Sequence, residues 1–136
     1  MQLQILEFDD LGLSRVYDNK DWMVGIKNWK PANDKANIDC LERHNETDEL
    51  FVLLAGACVL LTATDRAGGG LDIKATAMVR NKVYNIPRSL WHNTVTRKDT
   101  KLVLVEASST SSANSDLLPL DAERLAEVRK LVADSL

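Results

Sequence analysis

Leu41-Glu42-Arg43-His44-Asn45-Glu46-Thr47-Asp48-Glu49-Leu50-Phe51-Val52-Leu53-Leu54-Ala55-Gly56 runs as a strand, a polar turn and a second strand. Side chains two apart in a strand share a face, so Glu42 and His44 project together while Arg43 points away. Asn45 to Asp48 is a polar connection that lets the chain reverse and bring Glu49 back beside them. Glu49 to Ala55 and Ala57 to Ala63 are apolar, β-rich runs broken at Gly56, which reads as a hairpin. Charged groups turned into a sheet interior are costly unless paired or coordinated. The cluster is therefore a metal site or a wet polar pocket.

Strand signals continue on both sides of this stretch. Trp22 to Trp29 is apolar and aromatic and stops at Lys30-Pro31, and Ala36 to His44 follows a turn-rich Pro31 to Lys35. Thr64 to Gly70 is a glycine-rich loop, Leu71 to Val79 a strand, and Arg80-Asn81-Lys82 a turn. Val83 to Ile86, Trp91 to Thr96 and Lys101 to Glu106 complete roughly eight short strands, an all-β pattern of a barrel or sandwich. The long helices that a parallel α/β sheet needs are absent. Ala107 to Ser115 reads as a Ser/Ala/Thr linker, and Asp121 as the N-cap of a short helix over Ala122 to Ala133. Leu125, Val128, Leu131 and Val132 give that helix an apolar stripe to pack on the barrel or on a partner subunit. The expected division is a barrel over residues 1–110, then linker and helix over 111–136.

With 136 residues the chain suits one domain with its own core. A net charge of −3 without a dense Lys/Arg cluster argues against nucleic acid and anionic membranes as partners. No basic stretch followed by an apolar run marks a leader, and no apolar run is long enough to span a bilayer. Cys40 and Cys58 form no metal-binding spacing and read as reduced thiols, so a cytoplasmic address is expected. Cys40 shares parity with Glu42 and His44, which leaves a thiol ligand open. Lys27, Arg80, Lys82, Arg88 and Arg97 read as mostly surface charges, although one of them could face a pocket mouth and bind an anionic substrate.

His44 and His92 are the chain's two histidines. His44 is followed by a glutamate five residues on, Glu49, and by a glycine seven further, Gly56. Ile86-Pro87-Arg88-Ser89-Leu90-Trp91-His92 sets a proline five residues before the second histidine. In order and spacing these segments resemble the two motifs of the cupin superfamily, over roughly residues 38 to 106. The resemblance implies a single jelly-roll β-barrel with a short C-terminal α-helix. It departs from the family at Glu42, which replaces the first histidine. It departs also at Asn81 and Ser89, where the second motif has glycines, and at Thr96, where it ends with Asn.

By this resemblance His44, Glu49, His92 and Glu42 are the expected ligands of a divalent metal ion, one of Mn, Fe, Zn or Ni. Carboxylate in the set favours the harder ions, and two His with one carboxylate also form the triad of non-haem iron sites. Glu42 is alternatively a catalytic general base, with Asp48 a second acid at tolerable spacing. A small polar molecule is the expected ligand or substrate. A metal-free cupin that senses or stores a small ligand, or an epimerase- or isomerase-like acid–base enzyme, is the alternative. A homodimer is expected, from the family's habit and because outward Leu41, Trp91 and Val95 would leave a lone barrel with an apolar patch.

Overall fold

The computed structural model describes residues 1–136. Its strands are β1 (Leu13–Asp18), β2 (Trp22–Asn28), β3 (Cys40–His44), β4 (Glu49–Ala55), β5 (Cys58–Asp65), β6 (Leu71–Ala77), β7 (Val83–Ile86), β8 (Trp91–Thr96), β9 (Lys101–Ala107) and β10 (Ser115–Pro119). One helix, α1 (Ala122–Ser135), closes the chain. The strands form two five-stranded sheets, ordered β1-β2-β9-β4-β7 and β10-β3-β8-β5-β6, with every pair antiparallel. The fold is the expected all-β jelly roll with a C-terminal helix.

Strand alternation in β5 feeds two separate cores. Cys58 and Leu60 point between the sheets and join Met23, Phe51, Leu102 and Leu104. Val59, Leu61 and Ala63 point outward and pack with Leu41, Val95 and Ile73 under Val128 and Val132 of α1. Asp121 caps this helix, its carboxylate accepting from the Arg124 N–H at 2.9 Å. The helix thus covers the outer face of the second sheet. Leu41 and Val95 are fully buried there, so the exposed patch expected around them does not exist. Trp91 is half-buried beside this core and carries the Arg43 guanidinium 4.3 Å from its ring centroid.

Two strands exceed the expectation from sequence. The edge strand β1 buries little, so its side chains carry only a faint alternation. The other, β10, lies just beyond the presumed linker tract and pairs with β3, Leu117 opposite Glu42. Within that tract Ser112–Asn114 form a 3-10 turn, where the Ser111 hydroxyl accepts from Ala113 N–H and the Asn114 side chain from Ser111 N–H. Small polar residues here cap and turn the backbone, and Pro119 is tolerated because β10 is an edge.

Backbone conformation survives at the motif positions where the residue type has changed. Gly56 has φ +75°, and a Cβ there would meet the Thr100 Cα at 2.5 Å, so only glycine turns this hairpin. Asn81 and Ser89, standing at glycine positions of the second motif, have φ 70° and 68°. Asparagine visits this left-handed region readily, whereas serine is strained in it. Replacing Ser89 by Gly should therefore stabilise the fold by about 1 kcal/mol, read as a rise in the midpoint of urea unfolding.

Candidate functional site

Inward positions of four strands bring the ionisable side chains together. Glu42 and His44 come from β3, Glu49 from the start of β4, His92 from β8 and Glu106 from β9. Glu42 and His92 sit directly opposite one another, the single paired position in the ladder between β3 and β8. The His44 and His92 rings stand edge to face, centroids 5.2 Å apart. Glu49 Oε1 lies 3.1 Å from His92 Nε2 and 3.5 Å from His44 Nε2. Glu42 Oε1 lies 3.8 Å from His92 Nε2 and 3.9 Å from His44 Nε2. Glu49 and His92 are almost fully buried, at 5% and 1% exposure, while Glu42 is the most open of these groups.

The rings are oriented from behind. His92 Nδ1 lies 3.0 Å from the Leu90 carbonyl oxygen, which only accepts, so Nδ1 carries a hydrogen. Nε2 then meets Glu49 with either a second proton or a lone pair. His44 Nδ1 sits 2.7 Å from the Ser115 hydroxyl, a group that works in either direction. The Glu49 hydrogen bond raises the His44 pKa against the effect of burial. Burial opposes the charge of Glu49, but the bonds to His44 and His92 outweigh it and hold this carboxyl well below the usual carboxylate range.

Glu106 completes the cluster, and the sequence reading passed over it. Burial, with the neighbouring Glu49 charge, pushes its carboxyl up to about 8. Its Oε2 is buried without a hydrogen-bond partner, 3.9 Å from His44 Nε2. The signal was parity: Leu102, Leu104 and Glu106 alternate inward along β9, and a carboxylate that ends such a row has to face the barrel interior. Of the basic residues left open to face the pocket, Lys27 is the one that does: it follows Met23 and Gly25 on the inward parity of β2 and lines the cavity. Its ammonium donates to Thr94 Oγ1 at 3.0 Å. Burial, helped by nearby Lys30, lowers its pKa.

The remaining candidates divide. Phe51 lines the cavity and Trp91 faces away, both as parity required. Asp48 is exposed and accepts from the Arg88 N–H at 2.9 Å, a turn-capping position. Cys40 contacts Asn93 and stands apart from both metal-competent triads, and burial raises its thiol pKa.

Comparison with solved structures places this architecture. A Streptomyces PAC13 variant with uridine superposes with a TM-score of 0.60 at 10% identity, over 90% of this chain and 96% of that one. The same protein is described elsewhere as Pac13, a unique nucleoside dehydratase. A cupin-2 domain protein from Shewanella frigidimarina gives 0.50 at 16% identity, over 74% and 84% of the two chains. The chain folds as a cupin. A mutant of Bacillus subtilis oxalate decarboxylase gives 0.51 at 15% identity, over 74% of this chain and 25% of that longer chain. No protein-family model and no curated protein matches the sequence.

The donor set in this barrel fits a divalent ion. Glu42, His44 and His92 form one group, and His44, Glu49 and Glu106 another, each with ligand atoms within 4.8 Å of one another. Donors around one ion with bonds of about 2.1 Å sit about 3.0–3.4 Å apart. The contacts of Glu49 to the two imidazoles, 3.1 and 3.5 Å, are near that spacing. The buried Glu106 Oε2 has no hydrogen-bond partner and is a further oxygen within reach of such an ion.

Without a metal, Glu106 ties stability to pH. Its folded pKa is raised, so the folded chain holds a proton that the unfolded chain releases between about 4.5 and about 8. That contribution is fully present below the lower value and is lost as pH rises through the upper one. In chelator-treated protein the fall in Tm between pH 5 and pH 8 should therefore be smaller for Glu106→Gln than for wild type, by about 5 °C. Parallel thermal unfolding of the two proteins across this window checks the sign.

Proposed function

We propose that this cupin holds a divalent metal ion on His44, His92, Glu49 and Glu42 and acts there on a small polar molecule. The contact that carries the reading is His92 Nε2 to Glu49 Oε1 at 3.1 Å, with the far nitrogen of the ring already committed to the Leu90 carbonyl. A neutral imidazole so oriented turns its lone pair toward a carboxylate, an arrangement that a shared cation relieves. A cavity of about 540 Å³ opens over the cluster, lined mainly by polar and charged side chains, which suits a hydrophilic ligand.

Bound at this position, a divalent ion would supply Lewis-acid polarisation of a ligand oxygen, or activation of water or oxygen. The chain's own groups would handle protons. Where Glu42 is not itself a metal ligand, its partly open carboxylate is the group suited to accept one from a ligand carbon or hydroxyl. Glu106, whose Oε2 lies 3.9 Å from His44 Nε2, is the second carboxyl placed to return it. A dehydratase and a decarboxylase among the structural neighbours support an enzyme of this kind over a passive container.

The second reading is metal-free acid–base catalysis. In it the 3.1 Å contact joins an imidazolium to a carboxylate, and Glu106 supplies an acid. Elemental analysis after reconstitution with Mn²⁺, Fe²⁺, Ni²⁺ or Zn²⁺ separates the two. One ion per chain is expected in wild type, with at least about a tenfold loss of affinity in His92→Ala. Uptake of no ion would overturn the metal reading.

We also infer a homodimer, through a face other than the one the sequence suggested. Tyr17, Trp22, Val24, Ile26 and Val103 form an open, wholly apolar groove with Leu6 on the first sheet. No helix covers this sheet as α1 covers the other, and Trp22 is 47% exposed. Sedimentation equilibrium should give a dimer at micromolar concentration, shifted toward monomer by Trp22→Asp.

A further inference from the structure

We propose that Lys27, with Lys30 beside it, anchors the carboxylate of a small organic acid, making short-chain carboxylates the ligand class of the cavity. The inference deepens the reading of the cavity as a ligand site, but it does not depend on the metal. Lys27 extends from the inner face of β2 into the space between the sheets, where a charged ammonium is costly without a counter-ion. No carboxylate oxygen lies within 4.0 Å of it. Its single hydrogen bond, to Thr94 Oγ1, meets a neutral hydroxyl and leaves two of its three N–H donors unspent.

Lys30 lines the same cavity and repels the Lys27 charge, while Glu49 and Glu42 attract it from beyond ion-pair distance. An anion seated against Lys27 would supply the direct partner that these carboxylates do not. Arg15, also at the cavity, is not free for this role, because its guanidinium donates to the Ser108 and Thr110 carbonyls at 2.8 and 2.7 Å. The lysines therefore mark the anionic end of the ligand.

The spacing limits the ligand's length. Thr94, which holds the Lys27 ammonium, lies two residues beyond His92 on the same face of β8, about 7 Å along the strand. A molecule of roughly four carbons spans that interval, one end on the ammonium and a second oxygen-bearing group at the His/Glu cluster. Dicarboxylates and oxo- or hydroxy-acids have this form. Neutral polyols and sugars lack the charge that would offset Lys27.

Titration calorimetry with succinate, malonate and the neutral isostere succinamide tests the assignment, on chelator-treated and on Mn²⁺-loaded protein. Succinate or malonate should bind wild type in at least one of these forms, and succinamide at least tenfold more weakly. Lys27→Met and Lys27→Gln should each weaken acid binding at least tenfold and leave metal stoichiometry unchanged. Lys27→Met should also melt higher than wild type without ligand, because it removes a buried amine that has no carboxylate within ion-pair distance. The inference is overturned if neither acid binds wild type in either form. Equal affinity in wild type and both Lys27 variants would overturn it as well. Metal content in the same samples reports separately on the metal, so the two readings fail independently.

Discussion

Glu49 and His92, 3.1 Å apart and nearly sealed from solvent, set the terms for everything around them. A carboxylate this deep is stable only while positive charge stands against it, so two imidazoles, a proton or a cation must always be present. Leu90 and Ser115 orient those imidazoles, and Glu106 surrenders its charge to make room for that of Glu49. The barrel accepts this polar cluster because its apolar packing is secured elsewhere. One core lies between the sheets, and a second lies beneath the terminal helix.

That second core explains why a chain of this size can devote its barrel interior to a cavity. Outward-facing Leu41, Val59, Leu61 and Val95 are closed over by Val128 and Val132, so burial continues on the far side of one sheet. At about 25 cal/mol per Å² of apolar surface, such a cover offsets a substantial cost of solvated or charged groups inside. The other sheet has no such cover and keeps Trp22 and Tyr17 at its surface. The two faces of the molecule therefore have different physical characters.

Much of this was legible in the residues. Strand parity set Glu42 and His44 on one face, the Glu49 and Gly56 spacing gave the hairpin, and Asp121 announced the helix. Glu106 and Lys27 were harder to see, because one charged residue at the end of an apolar row looks like the strand's exit into solvent. Their inward direction depends on where the strand stops, which neighbouring strands decide. The small-residue tract before β10 misled for a related reason. Its backbone is held by caps and by pairing with β3, which leave no hydrophobic rhythm. The face that α1 covers was misjudged because an amphipathic helix does not state which surface it will meet.

The ladder between β3 and β8 is joined at one position, Glu42 with His92. On either side of that line the sheet is fully stitched, β10 to β3 and β5 to β8. The second sheet is thus a broad panel and a narrow one meeting along a lightly sewn seam. Parting such a seam breaks few backbone bonds, so it costs less than deforming either panel. Glu42 and His44 ride on the narrow panel, whereas His92 belongs to the broad one and Glu49 and Glu106 to the opposite sheet. The cluster straddles this seam, so an occupant held by all its groups would tie the two panels to each other and to the facing sheet.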